Sequence, residues 1–323
     1  MFSDPCSNRT QPLLDWYKAN ARDLPWRHTR DAYRIWISEI MLQQTQVNTV
    51  LPRFAAWFEI FPDIASLGTA SLDDVLKAWE GLGYYRRARF IHASAQLMLA
   101  EHDGRFPQSF EAMLKLPGIG RSTAGAIASF CFDMHTPVLD GNVKRVLRRW
   151  HASPEATDKA LWMQAQKTID ASGQPDTWNQ AMMELGATLC IPATPACSDC
   201  PMQQHCTSAF AVHKTETSRK SIRMLDVHWQ VNLHVDQAQG IWLMRRPDKG
   251  IWAGLWSPPI VELSVVPEKA PCHVHMLTHR RLHLYSEVSH KAPSGIGQWV
   301  SDIGELALPT GIHQLLAKRG MGT

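Results

Sequence analysis

The chain has 323 residues, 45% of them hydrophobic, and 33 Lys and Arg against 30 Asp and Glu give a formal net charge of +3. That length predicts two domains, each able to bury its own core, and excludes peptide-scale scaffolds. The small net charge excludes a uniformly basic, polyanion-coating surface, and no apolar run approaches the roughly 18 residues of a membrane span, so a soluble protein is expected.

The opening MFSDPCSNRTQPLLDWYK has no basic start followed by an apolar stretch, which predicts no secretory signal and a reducing, cytoplasmic setting. The seven cysteines are therefore not presumed disulfides. From Gln11 to about Leu189 apolar residues recur at three and four positions, predicting helices over 12–20, 32–47, 48–61, 71–79, 86–102, 109–115, 121–132, 141–151, 158–171 and 175–189. Most of the 13 tryptophans fall at helical spacing among apolar residues and are expected in the core. A polar stretch with Lys214, Arg219, Lys220 and Arg223 reads as a linker over 207–226. Beyond it the period becomes two, in Val231, Leu233 and Val235 and again in Leu282 and Leu284, which predicts a second, sheet-containing domain over 227–323. A further strand lies in GIWLMRRPDKGIWAGLWSPP, and ELALPTGIHQLLAKRG predicts a closing helix.

Cys190, Cys197, Cys200 and Cys206 lie within seventeen residues, with six, two and five residues between successive members. Thiols this close in a reducing setting point to a shared metal rather than to inert burial. Four thiolates suit structural zinc or a [4Fe–4S] cluster, and spacing alone leaves both open. Cys6, Cys131 and Cys272 are expected bystanders.

The turn Leu116-Pro117-Gly118-Ile119-Gly120 joins a short helix to a longer one. Gly118 and Gly120 permit backbone conformations that aim N–H groups outward beside a helix N-terminus, where a phosphate can be held without reading sequence. Ala124, Gly125, Ala126 and Ala128 then make a smooth helix for close packing. Twenty residues past Gly120, Asp140 opens VLDGNVKRVLRRWH; alone it reads as an N-cap. Its helix carries Lys144, Arg145, Arg148 and Arg149, and Tyr84 and Tyr85 stand beside Arg86, Arg87 and Arg89. Such cationic and aromatic groups suit a nucleic-acid backbone, although a basic stripe can equally be a solvated face.

The combination of LPGIG turn, downstream aspartate and a four-cysteine cluster closing an all-helical domain resembles the helix-hairpin-helix DNA glycosylases related to endonuclease III. Within that superfamily, WISEIMLQQTQV at 36–47, GLGYYRRAR at 81–89, VLDGNVKRV at 138–146, NQAMMELGA at 179–187 and the cysteine spacing resemble the adenine DNA glycosylases. The likeness covers 11–206 nearly continuously and the second domain more loosely. It implies an all-α glycosylase domain over 1–206 with a [4Fe–4S] loop at 190–206, and a C-terminal α+β Nudix-like domain. The implied activity is hydrolytic release of adenine opposite 8-oxoguanine or guanine in double-stranded DNA, by a monomer working at the bacterial nucleoid.

Adenine is a poor anionic leaving group hidden in the duplex, so its release needs an extruded nucleotide, a proton donor for the base and a stabiliser for a cationic sugar. The resemblance makes Glu39 the acid, protonating N7, and Asp140 the ionised partner. The apolar flanks Ile37, Ile40, Met41 and Leu42 favour a raised Glu39 pKa. Asn142 matches a residue that positions aspartate and sugar, and Gln180, Trp26 and Arg27 match positions near the flipped base. Gln44, Thr45, Leu82 and Tyr84 match groups that contact or enter the base stack, and Gly118, Gly120 and Lys144 are expected at the DNA. Ser122, expected among the substrate-binding residues, stands where strand-cutting relatives carry a Schiff-base lysine, which favours hydrolysis by water. No Glu-rich Nudix signature occurs in 226–323. Leu277, Thr278 and His279 occupy the place of the family's Phe-Ser-His lesion loop, so the aromatic residue is lost. Ile191-Pro192-Ala193-Thr194-Pro195-Ala196 lacks the basic residues relatives carry between the first two cysteines. The rival readings are a pyrimidine-specific glycosylase with lyase activity and a non-catalytic iron–sulfur DNA-binding protein.

Overall fold

The computed structural model describes residues 7–211, 224–289 and 293–321. Of the linker expected over 207–226, residues 212–223 lie outside the described ones, as does Cys6. The chain forms two compact units that interleave in sequence: one holds residues 1–50, 63–68 and 93–218, the other 51–62, 69–92 and 219–323.

The first unit is helical. Helix α1 (Ser7–Asn20) leads to a 3-10 turn at Pro25–Arg27, and Asp31 then caps α2 (Ala32–Leu42) by accepting from the N–H groups of Tyr33 and Arg34. The helix expected over 32–47 stops at Leu42, because Gln44 adopts a left-handed conformation at φ 55°; helix α3 (Val47–Ile60) starts afresh after the bend. The short α4 (Ile64–Thr69) was not predicted by the sequence pattern. In the second unit α5 (Leu72–Ala78) follows, and α6 (Arg86–Glu101) runs from that unit back into the first. Then α7 (Phe110–Met113) and α8 (Arg121–Phe132) flank the glycine turn, in which Gly118 has φ 78° and Gly120 opens α8.

The expected smoothness of α8 is used in full. It is buried from Ala124 to Phe130, and a Cβ on Gly125 would strike the Pro137 carbonyl. That approach seats the extended segment leading to Asp140, which caps α9 (Gly141–Trp150). Helices α10 (Asp158–Ser172) and α11 (Pro175–Thr188) complete the unit, with Gly173 at the left-handed C-cap of α10 and Pro175 opening α11. Helix α11 lies against α1, α8 and α9, and α2 against α8, so three buried elements converge where α2, the start of α9 and α11 meet. Gly186 on α11 allows that convergence: a Cβ there would stand 2.7 Å from the Cβ of Asn142.

In the second unit, Trp57 and Trp79 pack edge to face with centroids 5.6 Å apart, as expected of core tryptophans. A seven-stranded sheet is built from β1 (Leu225–Asp236), β2 (Gly240–Arg245), β3 (Trp256–Ser257), β4 (Ile260–Glu262), β5 (His273–Met276), β6 (Arg280–Ser289) and β7 (Gln298–Val300). Its order is β3-β2-β1-β6-β5, with β4 on β1 and β7 on β2, and β1 pairs parallel to β6 from Leu225↔Arg280 to His234↔Ser289. The period-two residues Val231, Leu233, Leu282 and Leu284 face a core shared with Ile312, Leu315 and Leu316 of α12 (Thr310–Lys318). Tyr84, Arg89 and the sheet fall in the same unit: Tyr84 Oη lies 2.7 Å from Thr278 Oγ1, and Arg89 donates to the Ala253 carbonyl.

Candidate active site

Where α2, α9 and α11 converge, the first unit holds a cavity of about 520 Å³. Glu39 and Asp140 both line it, together with Trp26, Arg27, Thr45, Asn142 and Gln180. Each carboxylate is placed by its backbone: Glu39 rides the mostly apolar α2, and Asp140 is fixed as N-cap, accepting from Val143 N at 2.8 Å. Burial, with the Asp140 charge second, pushes the Glu39 carboxyl up to about 7. Burial raises Asp140 also, but N–H groups of Val143 and Asn142 and the Arg145 charge oppose that rise. Of the pair, Glu39 is the one that carries the proton.

A second layer supports these groups. Glu184, 1% exposed, accepts from Arg22 Nε at 2.7 Å and from Arg27 Nη2 at 2.7 Å. The two guanidiniums outweigh burial and hold its carboxyl down at about 2. Sequence reading passed over Arg22 and Glu184; the available signal was a single acid inside the apolar run AMMELGA. Glu184→Ala leaves two cations without their anion and is expected to destabilise the protein by about 3 kcal/mol, read as a lower thermal midpoint. Because the folded pKa lies below the ordinary 4.5, this stabilisation is complete above that value and fades as pH falls toward 2.

Other expected residues take different places. Ser122 is not among the cavity-lining residues; its Oγ accepts from Leu139 N at 3.1 Å and so steadies the segment entering Asp140. Gln44 is exposed and Tyr84 is 48% exposed, and both hold left-handed backbones, φ 55° and 47°. Such conformations cost energy in non-glycine residues and collect at functional positions. Leu82 is buried at 4% exposure rather than presented to a partner. Thr278 and His279 are exposed in the β5–β6 turn, while Leu277 packs onto the sheet core.

The basic stripes are largely turned inward. Arg149 is 4% exposed and donates to the carbonyls of Ile191 and Pro192, Arg145 Nε donates to the Cys190 carbonyl, and Arg145 Nη2 donates to Asn142 Oδ1 and the Gly186 carbonyl. Arg87 donates to the Leu82 and Gly83 carbonyls, and Lys144 Nζ meets Asp158 at 2.6 Å. Irregular loops expose carbonyls that need donors, and a guanidinium supplies several at once.

Cys190, Cys197, Cys200 and Cys206 line one cavity with Arg149. Burial pushes Cys200 up to about 11, and the neighbouring thiols add to that rise, so bound metal is what would let them ionise together. Among the described residues no three His, Cys, Asp or Glu side chains form a site for a single metal ion. Cys131 and Cys272 stand outside this cavity. No helix among the described residues is long and apolar enough to cross a membrane.

Residues 37–170 match the family described as HhH-GPD superfamily base excision DNA repair protein. An adenine DNA glycosylase of Arabidopsis thaliana is 39% identical over 84% of this chain, which spans half of that protein's length. An adenine DNA glycosylase of Buchnera aphidicola subsp. Acyrthosiphon pisum is 38% identical, covering 77% of this chain and 73% of its own. A solved structure of a thermostable thymine-DNA glycosylase superposes with a TM-score of 0.60 at 27% identity, covering 64% of this chain and 97% of that one. The chain therefore belongs to the adenine DNA glycosylase family of the HhH-GPD superfamily.

Proposed function

We propose that this chain is a DNA N-glycosylase that hydrolyses the bond between deoxyribose and an adenine mispaired with 8-oxoguanine or guanine in duplex DNA, acting as a monomer and without cutting the strand. The observation that carries this reading is the pairing of Glu39 and Asp140 in one cavity with unequal proton affinities. With an extruded adenine in place, neutral Glu39 gives its proton to N7 and afterwards accepts one from the attacking water. Ionised Asp140 stabilises the positive charge that grows on the sugar as the base departs. Asn142, held by Arg145, keeps Asp140 and the sugar in register. No lysine is among the cavity-lining residues, which supports water rather than an amine as the nucleophile.

We place Gln44, Thr45, Tyr84, Gly118 and Gly120 at the DNA, with Lys144 able to reach it only by leaving Asp158. The sheet with α12 is read as a Nudix-like module in which Thr278 and His279 meet 8-oxoguanine. Cys190, Cys197, Cys200 and Cys206 are read as ligands of a [4Fe–4S] cluster, a reading supported by the one cavity they share and by the family's cysteine spacing. When bound, the cluster ties the end of the helical unit together. Iron and sulfide analysis with the visible spectrum checks this; a colourless protein with stoichiometric zinc would overturn it.

The defining experiment uses three duplexes, holding adenine opposite 8-oxoguanine, adenine opposite guanine, or an oxidised pyrimidine, each developed with alkali after incubation. Release from the first is expected. Release only from the third would establish the pyrimidine reading, and release from none would leave a binding protein. Because the acid must be protonated, single-turnover adenine release is expected to fall roughly tenfold per unit as pH rises beyond about 7 and to decline on the acid side as Asp140 gains a proton. A profile flat from pH 6 to 9 would remove Glu39 from its role.

A further inference from the structure

Gln180 lines the cavity, and its Oε1 accepts a hydrogen bond of 2.8 Å from Tyr17 Oη on α1, a residue that does not itself line it. Tyr17 is only 8% exposed. Arg27 seats it, with a guanidinium carbon 5.3 Å from the ring centroid, and Arg27 is in turn anchored by Glu184. Burial raises the phenol pKa, so the hydroxyl keeps the proton it donates. An amide has one accepting end and one donating end. With the oxygen engaged by Tyr17, and the Arg27 cation favouring the negative end of the amide dipole on that side, the Nε2 group is the end left for a ligand.

We propose that Tyr17 is a positioning residue for base selection: by pinning the carbonyl end of Gln180 it makes this wall of the pocket a donor, which accepts a purine with a bare ring nitrogen and rejects one carrying N–H at that edge. The two bases differ at N1, which is a bare acceptor in adenine and an N–H donor in hypoxanthine, so a donor facing N1 pairs with the first and clashes with the second. Buried, mismatched donors are costly, which is how such a wall discriminates. The inference rests on the adenine-releasing function proposed above.

Its test measures single-turnover release of adenine and of hypoxanthine, each opposite 8-oxoguanine, by the wild-type protein, Tyr17→Phe, Gln180→Ala and the double variant. Phenylalanine keeps the ring beneath Arg27 and loses only the donor, so an unchanged thermal midpoint is expected. Tyr17→Phe should lower adenine release about fivefold and raise the hypoxanthine-to-adenine ratio at least about threefold, because the freed amide can turn over. In the Gln180→Ala background the same change should leave the ratio where it is. A ratio unchanged in Tyr17→Phe, whether or not both rates fall, overturns the proposal, and so does a shift that persists without the Gln180 amide. Wild-type protein that released no adenine would instead strike the function on which the proposal is built.

Discussion

Glu39→Gln is expected to reduce adenine release by about 10³-fold or more, while binding of the mismatched duplex stays within a fewfold of wild type. The substitution preserves size and leaves an amide that can still lie against a base, but an amide cannot deliver a proton. Without it the purine must leave as an anion. Because the carboxyl sits in α2 among Ile35, Trp36, Ile37, Ile40 and Met41, all buried, the fold does not depend on its charge. Replacing a carboxyl that burial keeps protonated by an uncharged amide of the same size should leave the thermal midpoint at neutral pH nearly unchanged. Single-turnover kinetics with a binding isotherm on the same duplex checks the split. Retained turnover would assign the acid elsewhere.

Asp140→Asn is the second large effect, and its interest lies in what it leaves intact. Asparagine is as good an N-cap as aspartate, so the bond to Val143 N survives and α9 keeps its first turn. What disappears is the negative charge beside the sugar, and adenine release is expected to drop by about 10²- to 10³-fold with little change in the midpoint of unfolding. Asp140→Ala should lose the same activity and, in addition, about 1 kcal/mol of stability from the missing cap. The comparison separates the two duties of one side chain. An asparagine variant as unstable as the alanine variant would show that the charge, not the cap, organises this region.

The helical half was legible because burial on one face of a helix leaves a three-to-four residue signature, and the sheet half because alternate residues of β1 and β6 face one core. The parallel pairing of those strands was not, since it is set by contacts across more than forty intervening residues. The bend at Gln44 left no trace either: no glycine or proline marks it. The pairing of Glu39 with Asp140 was inferred from motif resemblance, and the cavity they share accords with it. The residues that support them were invisible, because Arg22 with Glu184 and Tyr17 with Gln180 are separated by 162 and 163 positions and carry no local pattern. The arginines of α9 misled for a physical reason. A run of positive charge looks the same whether it faces solvent or caps the bare carbonyls of a distant loop.

The interleaving of the two units bears on how the gene can be trimmed. Ending the chain at residue 211 would strip Asp73 of Arg245, Glu80 of His313 and Arg89 of the Ala253 carbonyl, all partners within one unit. Segments 51–62 and 69–92 thus belong to the same folded body as the sheet, and a deletion that looks clean on a linear map would amputate most of that body.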